Sequence, residues 1–142
     1  MRQMYVAMAM DNASFAALME LAADPGTHGL LHHCAAGRDR TGIGATYIYL
    51  ALGVPRETII ADYLLSNELL APMYAQMRSM LAEAADGETL ERAKAMMTLR
   101  RELLEAVFDE IDRRYGGDGA FLEAQFGLSP SRLAALRDAC LE

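Results

Sequence analysis

Apolar residues recur every three or four positions through most of this chain, a spacing that predicts helices rather than strands. Over 12–23 ("NASFAALMELAA") they fall at Phe15, Leu18, Met19 and Ala22, with Asn12 placed as an N-cap. "DPGTHG" at 24–29 ends that pattern with turn chemistry. The short apolar run "GLLHHC" at 29–34 then leads into a glycine-containing turn. It reads as a buried strand, although by length alone it could be a scrap of helix.

Helical spacing resumes at Thr41 and runs to Gly53, with Pro55 shortly after. Further helices are predicted over 55–70 and 72–85, the first opened by Pro55 and the second by Pro72. The longest periodic run is 88–115, where Ala93, Met96, Met97, Leu103, Leu104, Val107, Phe108, Ile111 and Tyr115 share one face. Unbroken, it would reach roughly 40 Å. "GGDG" at 116–119 ends it, and two short helices follow, over 120–126 and 129–142, the latter with Ser129 as N-cap and Pro130 at its first position.

A chain of 142 residues, 53% apolar and 23% charged, is expected to form one domain, 1–142, with a real core. Most of the 10 methionines sit at helical spacings that predict core positions, and Cys140, beside Leu136 and Leu141, reads as a small packing residue. A net charge of −7 argues against a nucleic-acid or anionic-membrane binder. No apolar run approaches a membrane span, and "MRQMYVAMAMDN" lacks the apolar stretch of a secretory leader. Two cysteines make no disulfide framework, so a reducing, cytoplasmic setting fits best.

Candidate chemistry is confined to one stretch, "HHCAAGRDRTG" at 32–42. An apolar strand would deliver Cys34 to a turn through Ala35, Ala36, Gly37, Arg38 and Asp39, and a helix would begin near Arg40 or Thr41. Main-chain amides in such a turn can form an anion nest, and the helix start adds unpaired N–H groups and a positive dipole end. Gly37 suits a positive φ. Arg40, six residues after Cys34, can return over two oxygens of a bound oxyanion. The same donors would lower the Cys34 pKa, and Thr41 can donate its hydroxyl to the sulfur. His33 is expected to hydrogen-bond backbone carbonyls and hold the loop. Asp39, the only carboxylate in the loop, is the candidate general acid. The implied chemistry is attack of Cys34 on phosphorus and hydrolysis of the resulting thiophosphate. His28, His32, His33 and Cys34 could suggest zinc, but no second ligand cluster exists, so neither metal nor other cofactor is expected.

At these residues the sequence resembles the cysteine-dependent protein tyrosine phosphatases, and in particular a bacterial tyrosine/serine phosphatase branch with the motif His-Cys-x-x-Gly-Lys-Asp-Arg-Thr-Gly. The match covers His33, Cys34, Gly37, Asp39, Arg40, Thr41 and Gly42, and departs at Arg38, where Lys is usual. "GVPRETIIADYLLSNELL" at 53–70 and "YGGDGAFLEAQFGLSPSRLAALR" at 115–137 are similar to later parts of that family. The resemblance implies an α/β fold, a catalytic loop at 33–42 and hydrolysis of phosphate monoesters: phosphotyrosine, with phosphoserine, phosphothreonine or phosphoinositides as a wider set. It assigns Cys34, Arg40 and Asp39 to catalysis. Ala35, Ala36, Gly37, Arg38, Thr41 and Gly42 fall to substrate binding, and His33 to support.

Family members normally carry several strands of a parallel sheet ahead of the segment that begins here. The expectation is therefore a mostly helical chain with one or very few strands, missing the N-terminal part of its sheet. Such a chain would expose apolar surface, self-associate as a homo-oligomer, or be poorly stable. A rival reading is a catalytically impaired phosphate- or partner-binding fragment. A more distant one is an arsenate reductase, which would need a resolving thiol, and Cys140 sits on a remote terminal helix.

Overall fold

The computed structural model describes residues 1–84 and 86–141, with the side chains at 81, 83, 84 and 94 outside that description. Among the described residues every regular element is helical: α1 (Arg2–Ala9), α2 (Ala13–Ala22), α3 (Asp39–Leu52), α4 (Arg56–Leu69), α5 (Ala71–Ala84), α6 (Gly87–Met97), α7 (Arg101–Tyr115), α8 (Asp118–Phe126) and α9 (Pro130–Cys140). The last residues of the predicted helices 72–85 and 129–142 lie outside the described residues. None of these helices is long and apolar enough to cross a membrane.

Helix α3 is the hub, in contact with α1, α2, α4, α8 and α9. Its Ile43, Tyr47, Leu50 and Ala51 are buried. Tyr47 lies against the rings of Phe15, Phe121 and Phe126 at centroid distances of 5.3, 5.1 and 5.3 Å. Its buried hydroxyl donates to the Ala9 carbonyl at 2.8 Å, so the phenol sits in the core without an orphaned polar atom. Helix α7 supplies Leu103, Leu104, Val107, Phe108 and Ile111 to the same core. Arg56 of α4 binds Asp112 and Asp118 and stacks on Phe108, 4.7 Å from the ring centre, fastening α4 to α7 and α8.

Several predicted caps are present. Asn12 accepts from Ser14 N, Ser129 accepts from Arg132 N, and α3 ends on Gly53 at φ 84°. Four expectations are corrected. Residues 29–34, expected as a strand or a scrap of helix, form neither. A strand needs a neighbour for its amides and carbonyls, and the described residues supply none. Second, the run 88–115 is two helices. Residues 98–100 leave the helical path because the Asn67 side chain bonds both main-chain groups of buried Leu99: Nδ2 to its carbonyl at 2.9 Å and Oδ1 from its N–H at 2.8 Å. A single amide there replaces both helical hydrogen bonds and stops propagation. Third, six of the 10 methionines (Met1, Met4, Met73, Met77, Met80 and Met96) are exposed, most of them on α5 and α6, where Tyr74 is the buried anchor of α5. Fourth, Cys140 is exposed at the end of α9, with the buried positions there taken by Leu133 and Leu136. Helix α1 was not predicted at all; it has no side-chain cap, and only Tyr5 and Ala9 of it are buried.

Asn67→Ala should cost about 2 kcal/mol, because it strands a buried N–H and carbonyl together. Urea unfolding of the two chains measures the difference, and an unchanged midpoint would contradict the clamp.

Candidate active site

The loop that carries Cys34 is held from both ends. Upstream, His32 Nε2 lies 3.1 Å from the Thr41 carbonyl. A carbonyl only accepts, so that nitrogen carries the proton. This is the bond expected of His33, which instead is exposed at the cleft beside Cys34. Downstream, α3 begins at Asp39, one or two residues before the predicted start near Arg40 or Thr41, and Gly42 N donates to the Arg38 carbonyl at 2.8 Å. Between them Gly37 takes the expected positive φ, 64°.

Two later glycines let the neighbours close in. A Cβ at Gly42 would lie 2.9 Å from Cδ2 of Tyr63, and one at Gly44 would lie 2.8 Å from Cδ2 of Leu18 and 3.2 Å from the His32 ring. A side chain at Gly42 would force the Tyr63 ring to move, and one at Gly44 would force the Leu18 methyl aside and press on the ring of the His32 tether.

Cys34 is half-buried, and burial pushes its thiol up. The Thr41 hydroxyl and the amides of Thr41, Arg38 and Ala36 outweigh that effect and bring it down to about 6. Thr41 Oγ1 is itself buried with no partner of full hydrogen-bonding geometry, so its proton is uncommitted and available to the sulfur. The thiolate is therefore the main form at neutral pH.

The two arginines of the loop have separate fates. Arg40 is exposed, with no hydrogen bond or ion pair among the described residues, and it shares a cleft of about 260 Å³ with Cys34, His33, Asn12, Ser14 and Phe15. Arg38 is engaged: Nε and Nη2 reach Asp39 at 2.9 and 3.3 Å, Nη1 reaches Tyr74 Oη at 3.1 Å, and Nη2 reaches the Met96 carbonyl at 2.8 Å. Asp39 Oδ1, which takes Arg38 Nη2, also accepts the Tyr5 hydroxyl, and Tyr63 donates to Tyr5 at 2.8 Å. Ala35 and Ala36 are exposed and leave the mouth open. A larger groove of about 750 Å³, between α2 and α9, shares no residue with the loop, so volume does not mark the reactive place here.

Sequence reasoning missed Tyr5, Tyr63, His32, Gly44 and Tyr74. Only Gly44 left a signal, as the second glycine of Gly-Ile-Gly in a helix.

Comparison with known proteins adds independent support. A family model described as tyrosine phosphatase family matches residues 1–142. The "Triple specificity protein phosphatase PtpB" of Mycobacterium tuberculosis is 32% identical over 121 residues, covering 79% of this chain and 44% of that protein. A "Putative tyrosine-protein phosphatase" of Cupriavidus necator is 37% identical over 113 residues, covering 77% of this chain and 38% of that protein. The chain thus spans less than half the length of both relatives.

Alkylation of Cys34 by iodoacetamide should rise with pH through a midpoint near 6, since the depressed pKa leaves thiol below and thiolate above it. Thr41→Val removes the hydroxyl donor and should move that midpoint up toward the ordinary thiol range. A wild-type midpoint above 8, read by mass spectrometry of the modified peptide, would exclude the assigned donors.

Proposed function

This chain belongs to the tyrosine phosphatase family, and from that premise we propose that it carries the nucleophile and oxyanion cradle of a phosphate-monoester hydrolase working through a cysteinyl-phosphate. One observation carries the reading: a half-buried cysteine, ringed by the amides of its loop and the first turn of a helix, shares one cleft with an uncommitted arginine.

In the first step the Cys34 sulfur attacks phosphorus in line, a P–S bond forms, and the bond to the leaving oxygen breaks. That oxygen departs with a proton, and Asp39 is the carboxylate assigned to supply it. In the second step water attacks the thiophosphate, gives its proton to Asp39, and returns the thiolate and inorganic phosphate. Amides from Ala35 to Arg38, with that of Thr41 in the first turn, are assigned to the non-bridging oxygens, while Gly42, whose N–H is spent on the Arg38 carbonyl, is assigned to shaping the turn behind them. Arg40 closes over two of them as charge develops. His33, exposed at the same cleft, is assigned to its rim rather than to proton transfer. Aryl phosphates such as phosphotyrosine are the proposed substrates, with phosphoserine, phosphothreonine and phosphoinositides as the wider set. The α/β class is likewise our reading from family membership. It is supported by Leu30 and Leu31, 38% and 84% exposed beside the loop, which a neighbouring strand would cover.

Cys34→Ser should abolish turnover of 4-nitrophenyl phosphate, and Arg40→Ala should slow it by about 10²–10³-fold, the usual effect of losing one oxyanion donor. Rapid-quench kinetics on the 142-residue chain checks both. Near wild-type rates in Cys34→Ser would end the cysteinyl-phosphate reading. Binding of vanadate without any burst in the wild-type chain would favour a phosphate-binding role instead.

A further inference from the structure

Two buried phenols reach the catalytic loop from other helices. Tyr5, on α1, is 1% exposed and Tyr63, on α4, is 4% exposed. Tyr63 Oη donates to Tyr5 Oη, and Tyr5 Oη donates to Oδ1 of Asp39, 34 positions along the chain. A buried tyrosine needs an acceptor, and the core offers cheaper ones. Tyr47, equally buried, is satisfied by a single main-chain carbonyl. The Tyr5–Tyr63 pair instead ends on the one carboxylate of the loop.

The same pair touches the loop a second time. The Tyr63 ring packs where a Cβ of Gly42 would stand, so it sets the height of the first turn of α3 while Tyr5 holds the carboxylate. Burial pushes the Tyr63 phenol up to about 12 and that of Tyr5 higher still, with Asp39 adding to both. Both hydroxyls keep their protons throughout the neutral range, so the direction of donation, Tyr63 to Tyr5 to Asp39, is fixed. Accepting from Tyr63 also polarises the Tyr5 hydroxyl and strengthens its donation. Arg38 donates to both oxygens of Asp39, Nε to Oδ2 and Nη2 to the same Oδ1 that Tyr5 reaches, so three donors fix the carboxylate.

We propose that Tyr5, backed by Tyr63, is a positioning residue of this site, fixing the Asp39 carboxylate in the orientation from which it serves the leaving oxygen. This rests on the hydrolase reading above. Tyr5 acts through Asp39, not on the substrate, so its influence should follow the need for a leaving-group proton. Tyr5→Phe removes one oxygen and keeps the ring in its packing.

The test compares phenyl phosphate, a poor leaving group, with 4-nitrophenyl phosphate, an activated one. Tyr5→Phe should lose about tenfold in kcat/KM on the first, the rate equivalent of one charged hydrogen bond, and markedly less on the second. Tyr63→Phe should show the same bias at smaller size. In the Asp39→Asn background Tyr5→Phe should add nothing, since its only route of action is gone. Equal losses on both substrates, or a full additional loss in Asp39→Asn, would overturn the proposal. A second readout needs no turnover. The Tyr5 hydroxyl proton should give a slowly exchanging downfield NMR resonance in the wild-type chain, lost in Tyr5→Phe and shifted in Asp39→Asn. If the wild-type chain hydrolyses neither substrate, the hydrolase reading falls, and this resonance alone decides the placement: a shift supports it, and an absent or unmoved signal overturns it.

Discussion

Burial raises the cost of a charge on Cys34, and the donors at the start of α3 outweigh it. That contest governs the local design. Main-chain amides point at the sulfur only while the chain from Cys34 to Thr41 keeps its turn, which needs a left-handed Gly37 and a fixed first turn of α3. The turn holds its place because His32 is bonded to the Thr41 carbonyl from below. A loop with the same residues but a loose start to its helix would present the same groups pointing elsewhere, and the thiol would stay protonated.

The first turn is stiff because α3 is also the centre of the core. Tyr47, two turns from Asp39, is enclosed by rings from α2 and α8 and bonded to the end of α1. Gly42 and Gly44 let Tyr63, Leu18 and His32 approach the helix more closely than a Cβ would allow without a shift of those side chains. At its other end, Arg137 of α9 donates to the Ala51 carbonyl at 2.9 Å, a cation placed where the helix dipole favours one. Packing energy and site geometry therefore share the same residues, and damage to either is felt by both.

What was legible beforehand follows from how local each cause is. Helix caps at Asn12 and Ser129, the stop at Gly53, the left-handed Gly37 and the gathering of Cys34, Arg40 and Thr41 about one turn are encoded within a few residues and were readable. The break at 98–100 was not, because its cause is a side chain 32 positions away and nothing in Thr-Leu-Arg itself stops a helix. Tyr5 and Tyr63 were equally hidden. An amphipathic helix displays its apolar face to inspection but not the hydroxyl at the far edge of one ring. The expected strand at 29–34 failed for the opposite reason: its apolar pattern is local, but strand formation depends on a partner the described residues do not contain.

The division between Arg38 and Arg40 shows why adjacent residues of one type need not share a role. Arg38 has a side chain 13% exposed and directs its guanidinium to a carboxylate, a phenol and a carbonyl. Its contacts run from the start of α3 to α5 through Tyr74 and to the end of α6 through Met96. It therefore ties the outer helices to the loop and leaves few donors for an incoming anion. Arg40, two residues on and exposed, has made no such commitment. In a chain of net charge −7 the long-range field does not recruit a phosphate. On the proposed hydrolase reading, attraction is built within a few ångströms of the sulfur, from amides, a helix start and one unspent guanidinium. An arginine already neutralised by its neighbour adds order to that arrangement rather than charge.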